Sequence, residues 1–248
     1  MPETPVLILT PVKDAAECVE GYWQRLFGLS YPHRLISVGL LEGDSGDSSF
    51  AELQRWQPRA EAEFARVTLI KRDYGYHLPL GVHRGTPAVQ PARRSILARS
   101  RNQLLFRALR DEAWVLWLDV DVIEFPPNLI ELLLGTGCEI VQPHCVLRYG
   151  GPTFDCNGWR ELGTLHLDDL RGEGALVPLD TVGGTVLLVR ADLHRDGLIF
   201  PPFPYGKGSP LARTGGLEIE TEGLGIMAHD MGYRCWGLPH LEVLHRDG

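Results

Sequence analysis

The chain has 248 residues, 44% hydrophobic and 23% charged, enough apolar material for a sizeable core and too much for a disordered chain. Its formal net charge of −8 argues against a general nucleic-acid binder, which needs a basic face. No apolar run nears the ~20 residues that span a bilayer, and "MPETPVLILTPVKD" lacks the positive start of a signal peptide, so a soluble, cytoplasmic protein with no transmembrane segment is expected.

Taken in chain order, the first 125 residues alternate two periodicities. "PVLILTPV" (5–12) reads as a strand, and "DAAECVEGYWQRLFGL" (14–29) as a helix opening on an N-cap-type Asp14. "HRLISVGLLEGD" (33–44) is a second strand, and "SSFAELQRWQPRAEAEF" (48–64) is helical but broken at Pro58. "RVTLIKRD" (66–73) is a third strand, "ARRSILARSRNQLLFRALR" (92–110) an amphipathic helix, and "AWVLWLDVD" (113–121) a fourth strand. Alternating strands and helices imply βαβ crossovers and a mostly parallel, Rossmann-like sheet flanked by helices.

The second half is less regular: strands at 139–149 and 183–194, a short helix within 218–232, and a closing strand, "RCWGLPHLEVLH" (234–245). Two Pro/Gly-rich connections, 74–91 and 201–216, are long enough to be functional loops, suited to closing over a ligand. No repeat or linker interrupts the chain, so a single domain is expected, with a regular half at 1–125 and a less regular half at 126–248. Five widely spaced cysteines without a C-x-x-C pair read as buried reduced thiols.

Acids gather at the predicted carboxyl ends of strands: Glu42 and Asp44, Asp73, then Asp119 and Asp121 around Val120. Ligands of open α/β sheets bind at that edge, and clustered like charges repel unless a cation or hydrogen-bond donors offset them. In an extended strand Asp119 and Asp121 project to one side, where they suit a hard divalent ion shared with diphosphate oxygens. A structural alternative is that Asp119 begins a turn and Asp121 is solvated.

The segment "RNQLLFRALRDEAWVLWLDVDVIEFPPNLIELLL", with "LTPVKDA", "FDCNGW", "VGGTVLLVRADLHRDGLIFPPF" and "IETEGLGIMAHDMGYRCWGLPHLEVLH", resembles the fungal mannan-polymerase α-mannosyltransferases, glycosyltransferase family 62. The pieces follow the family's order over nearly the whole chain. The resemblance implies the glycosyltransferase-A fold and retaining transfer from GDP-mannose with Mn2+ or Mg2+. The fungal proteins carry a membrane anchor and stem, whereas this chain starts at its first strand, so a soluble, bacterial-type relative is expected.

Within that frame the residues take roles. Thr10, Pro11 and Lys13 turn from strand into helix, where backbone N–H groups and the ammonium meet the nucleotide. Glu42 and Asp44 suit guanine or ribose donors, with Asp73 beside them. Arg94 and Arg101, seven apart, share a helix face with Asn102 nearby, and their forked geometry suits a diphosphate; Arg93 and Arg107 read as a solvated basic face. Gly183 and Gly184 either let the backbone approach the donor or start a strand. Glu220 and Glu222 border the donor sugar, unless Thr221 and Glu222 merely cap the helix that follows. His245, a polar strand terminus by itself, is implied by the resemblance to join Asp119 and Asp121 as a metal ligand. Asp121, Arg101, Glu220 and Glu222 are the catalytic candidates. Partners are then a nucleotide sugar and a hydroxylated, carbohydrate-type acceptor, with no nucleic acid. The rival readings are GDP-glucose or UDP-glucose as donor, a nucleotidyltransferase, and a non-catalytic sugar-binding module.

Overall fold

A computed structural model describes residues 4–82, 85–213 and 218–246. Residues 83–84 of the first long loop, including His83, and 214–216 of the second lie outside the described residues. The strands are β1 (Val6–Val12), β2 (Ile36–Glu42), β3 (Arg66–Lys71), β4 (Trp114–Leu118), β5 (Val122–Glu124), β6 (Ile140–Val146), β7 (Val177–Leu179), β8 (Val186–Arg190) and β9 (Cys235–His245). The helices are α1 (Ala16–Phe27), α2 (Ser49–Glu63), α3 (Gln90–Ala108), α4 (Leu129–Leu134), α5 (Ala191–Arg195) and α6 (Thr221–Asp230).

Among the described residues the strands form one sheet in the order β3-β2-β1-β4-β8-β6-β9-β5, with β7 pairing β9. The first four are parallel, with Ile8 level with Val38 and with Leu116. β8 runs antiparallel between β4 and β6, and β9 runs parallel to β6. After β3 the chain returns through α3 to β4 on the other side of β1, so the strand order reverses between β1 and β4. That reversal opens a crevice at the strand ends, where such sheets bind ligands. Alternation assigns the faces: Val6 and Ile8 of β1 pack with α1 and α2, while Leu7 and Leu9 pack with Ala98, Leu104 and Leu105 of α3.

Three local expectations are corrected. Helix α2 runs unbroken through Pro58. The missing N–H strands only the carbonyl of exposed Gln54, which water reaches, and Leu53 and Ala60 stay buried. Asp14 does not cap α1; it sits at φ 48°, and the helix start is satisfied from α2's side, with Ala15 N–H donating to Ser49 Oγ (2.8 Å) and Ala16 N–H to Asp47 Oδ2 (3.0 Å). The cysteines are not uniformly buried: Cys138, Cys145 and Cys235 are, Cys18 is half-buried and Cys156 is exposed. No helix among the described residues is long and apolar enough to cross a membrane.

His194 on α5 lies in the core beside α3, 3% exposed, edge-on to Trp117, with Nδ1 donating to the Leu198 carbonyl (2.7 Å). Burial holds its imidazolium down at about 4, against an ordinary 6.5. A depressed histidine contributes stability that is present above the unfolded pKa and is lost as pH falls toward the folded one. We expect a loss on the order of 3 kcal/mol between pH 6.5 and 4. A His194→Gln variant should lose that part of the pH dependence in urea titrations; equal slopes for both proteins would assign the acid sensitivity elsewhere.

Candidate active site

Asp119 and Asp121 do not lie in an extended strand. β4 ends at Leu118, and the two acids occupy a turn closed by Val122 N–H on the Asp119 carbonyl (3.3 Å) before β5 begins. Val120 between them faces the core. The turn orients the acids differently. Asp119 accepts from Arg101 Nη2 (3.0 Å), and Asp121 Oδ1 lies 3.1 Å from His245 Nε2. β9 brings the histidine there, with His245 level with Val122 of antiparallel β5. The imidazole is fixed three ways: Nδ1 donates to the Arg246 carbonyl (2.6 Å), the Phe154 ring lies tilted against it with centroids 4.2 Å apart, and Nε2 faces Asp121.

Arg101 is the centre of the site. It is 2% exposed, and its Nε lies 2.8 Å from Glu220 while Nη2 reaches Asp119 and the Gly184 carbonyl. The guanidinium packs over Trp117 and Phe200, 5.3 and 5.4 Å from their centroids. Burial opposes its charge, but Asp119 and Glu220 outweigh that and hold its pKa above the ordinary value. Burial pushes the Asp119 carboxyl up to about 7, against the pull of Arg101 and with help from Asp121 and Asp155. Burial also opposes charge on His245, and the hydrogen bond to Asp121 reverses the balance, raising its pKa.

Both glycines of 183–184 are required by this packing. A Cβ at Gly184 would come within 2.7 Å of Thr221 and 2.8 Å of Arg101, and one at Gly183 within 2.2 Å of Asp155. Glu220 precedes α6 at φ 65°, a left-handed conformation that a non-glycine residue adopts only where its surroundings compel it. Glu222 is held from three sides, by Arg94 Nη1 (2.5 Å), Trp159 Nε1 (2.8 Å) and Arg213.

These groups line a cleft of about 730 Å³ that collects Asp119, Asp121, Gly184, Glu220, Glu222, His245, Arg94 and Arg101. A narrower pocket of about 150 Å³ adjoins it through Arg93 and Leu97 and is walled by Pro11, Lys13, Asp44, Tyr74 and Tyr76. Arg93 therefore faces the cleft rather than only solvent. Sequence reasoning also passed over Asp155, Asn157, Thr185 and Arg213. Asp155 accepts from the Thr185 N–H and hydroxyl (3.0 and 2.8 Å). Its signal was the "FDCNGW" segment, which carries no secondary-structure period.

Other expected ligand residues are spent on the scaffold. Thr10 is fully buried, donating to the Leu118 carbonyl and accepting from Tyr22, both at 2.7 Å. Glu42 is buried against Lys71 (2.5 Å), and Asp73 binds Lys71 (3.0 Å) and the Asp44 N–H (2.7 Å), so neither lines the pockets. Asp44 does reach the narrow pocket, but its carboxylate accepts from Tyr74 and Gly75 N–H and fastens that loop. Asn102 clamps the Phe200 backbone (2.7 and 2.9 Å) and is absent from the cleft. Nor do Asp119, Asp121 and His245 form a closed metal cluster: among the described residues no three His, Cys, Asp or Glu side chains gather as one. Asp119 is drawn to Arg101, leaving Asp121 with His245.

A reversed strand order, a turn of acids at its switch point and an arginine helix above it define a glycosyltransferase of the GT-A fold. The chain belongs to the Anp1 family, which it matches over residues 2–167 and 164–204. It is 32% identical over 97% of its length to the mannan polymerase complex subunit MNN9 of Candida albicans, covering 74% of that protein. It is 29% identical over 98% of its length to the mannan polymerase II complex anp1 subunit of Schizosaccharomyces pombe, covering 64%. Among solved structures it superposes on the mannosyltransferase PcManGT from Pyrobaculum calidifontis, a complex with GDP-Man and Mn2+, with a TM-score of 0.59 at 17% identity over 97% of this chain. It superposes on S. aureus TarS in complex with UDP-GlcNAc at 0.55 and 14%, over 99% of this chain. The chain spans 56% and 60% of those two chains, and the likeness to them is one of fold. The family overturns the cytoplasmic expectation: the relatives are subunits of fungal mannan polymerase complexes.

Replacing Glu222 tests how the site is braced. Glu222→Ala would leave Arg94 and the Trp159 N–H without their shared acceptor in a largely buried place. A loss of about 3 kcal/mol is expected on breaking such a pair, read by urea denaturation. A loss under about 1 kcal/mol would mean that water replaces the carboxylate.

Proposed function

We propose that the cleft binds GDP-mannose and that the chain transfers the mannose, with retention, to a hydroxyl of a carbohydrate acceptor, assisted by Mn2+ or Mg2+. The observation that carries this reading is the contact of Asp121 with a histidine whose other ring nitrogen is tied to a backbone carbonyl. Metal-binding histidines are oriented in this way. The charge balance supports it too. Five carboxylates (Asp119, Asp121, Asp155, Glu220 and Glu222) face four guanidiniums (Arg93, Arg94, Arg101 and Arg213) around the cleft. A diphosphate added to that wall needs further positive charge. Asp121 and His245 would hold the ion, with Asp119 alongside. An ion bound there would supply positive charge toward the departing nucleoside diphosphate.

The chain's own groups do the rest. Arg101 and Arg94 face the diphosphate, held ready by Glu220 and Glu222. The narrow pocket of Pro11, Lys13 and Asp44 takes the nucleoside, making the β1–β4 half the nucleotide side and the rest the sugar and acceptor side. Every cleft carboxylate already has a hydrogen-bond or ion-pair partner, so none stands apart as a covalent nucleophile. This favours front-face transfer, in which the leaving diphosphate takes the acceptor's proton. Assembly with partner subunits, stated for the relatives by their names, belongs to the same reading.

Release of GDP from GDP-mannose with manganese, compared with GDP-glucose and UDP-glucose, tests the donor. Asp121→Asn should abolish metal-dependent GDP binding with the melting temperature kept. A collapse of the fold, or turnover only with a uridine donor, would defeat the assignment. His245→Ala should lower manganese-supported turnover and narrow the advantage of manganese over magnesium, since imidazole suits the softer ion. An unchanged metal preference would leave Asp121 as the ligand and His245 as packing.

A further inference from the structure

On the outer side of α3, away from the cleft, lies a surface pocket of about 380 Å³ lined by Arg72, Tyr74, Arg99, Asn102, Gln103, Phe106 and Arg107. Its hydrogen-bonding capacity is one-sided. The acceptor oxygen of Gln103 is taken by the Tyr74 hydroxyl (2.9 Å), and both amide atoms of Asn102 are spent on the Phe200 backbone. Donors remain: the Gln103 amide and three guanidiniums. Arg72 and Arg99 stack on the same tyrosine ring, 5.7 and 5.2 Å from its centroid. Arg107 lies close enough to lower the tyrosine's pKa together with them, although burial raises it overall. Among the described residues none of the three makes an ion pair with a carboxylate, in a chain whose net charge is −8.

We propose that this pocket is a second anion site, for a phosphate-bearing ligand distinct from the donor. Three like charges around one ring repel one another, and an anion received by their forks offsets that repulsion. Arg99 and Arg107 stand eight residues apart on α3, and Arg72 comes from the end of β3, so the pocket's width is set by the scaffold and not by one flexible loop. Exposed Phe106 at the rim offers an apolar contact to whatever carries the phosphate. The site also communicates with the nucleotide side. Tyr74 forms a wall of both this pocket and the narrow pocket, and its backbone is pinned by Asp44. An anion that fixes Tyr74 will change nucleotide affinity, and the nucleotide will change the anion's affinity by the same factor.

The test uses the full chain without metal and a double variant, Arg99→Gln/Arg107→Gln, at two exposed positions that do not line the main cleft. Inorganic pyrophosphate is titrated into each by calorimetry, and vesicles of phosphatidylcholine with and without phosphatidylinositol phosphate are co-sedimented with each. GDP affinity with manganese serves as the control for the cleft. The variant should bind the phosphate probe about tenfold more weakly, the loss expected for charge-assisted contacts, while its GDP binding shifts by less. Weakened pyrophosphate binding identifies a soluble phosphate ligand; weakened vesicle binding alone identifies a lipid headgroup. Equal binding of both probes by both proteins, or an equal loss of probe and GDP, overturns the site. Because Asp121→Asn addresses the donor reading separately, either proposal can fail without the other.

Discussion

One buried positive charge organises this molecule. Arg101 has almost no contact with water, and an arginine cannot shed its proton to escape that cost, so its surroundings must compensate it. Compensation comes from three places far apart in sequence: the turn after β4, the segment before β8 and the residue before α6. Each is a loop, and a loop has few neighbours to fix its shape. Tying all three to one guanidinium converts them into a wall with a single arrangement. The glycine at 184, the left-handed backbone at Glu220 and the aromatic pair Trp117 and Phe200 all follow from fitting that group in.

A second brace repeats the principle with the signs exchanged. Glu222 is as enclosed as Arg101, and Arg94, Arg213 and Trp159 converge on it. Because Arg94 and Arg101 stand on one face of α3, the helix presents two fixed points to the cleft. Buried ion pairs are a weak source of stability when compared with apolar packing. Their value here is geometric: they hold charged groups in place before any ligand arrives, so little reorganisation remains for binding.

Strands β1 to β4 were legible because alternation and β-branched runs report on burial, and each lies within its expected span, whereas β5 was not expected. The acids at the strand ends were legible as a group, but their individual work was not. Glu42, Asp73 and Asn102 have the chemistry of ligand contacts, yet each meets a partner across 29 to 98 residues of sequence, which no local pattern encodes. Asp119 and Asp121 were expected side by side on a strand; the turn that separates them is invisible in a sequence whose hydrophobic run continues into β5. Pro58 misled because its cost depends on whether one carbonyl can reach water. Asp155 was missed because it lies in an irregular stretch and is held by Thr185, thirty residues on.

The place of β9 bears on how the sheet comes together in time. It sits between β6 and β5 and also pairs with β7, and all three precede it in the chain. Until residues 235–245 have been synthesised, β5 and β7 have no neighbour to bond to and β6 has an open side. The first four strands lack this dependence, since each finds its partner among segments already made. A nascent chain can therefore pair β1 to β4, β8 and β6 while β5 and β7 wait without a partner and β6 keeps an open edge. The pairing order thus allows β1 to β4 to dock before the imidazole of residue 245 has been made.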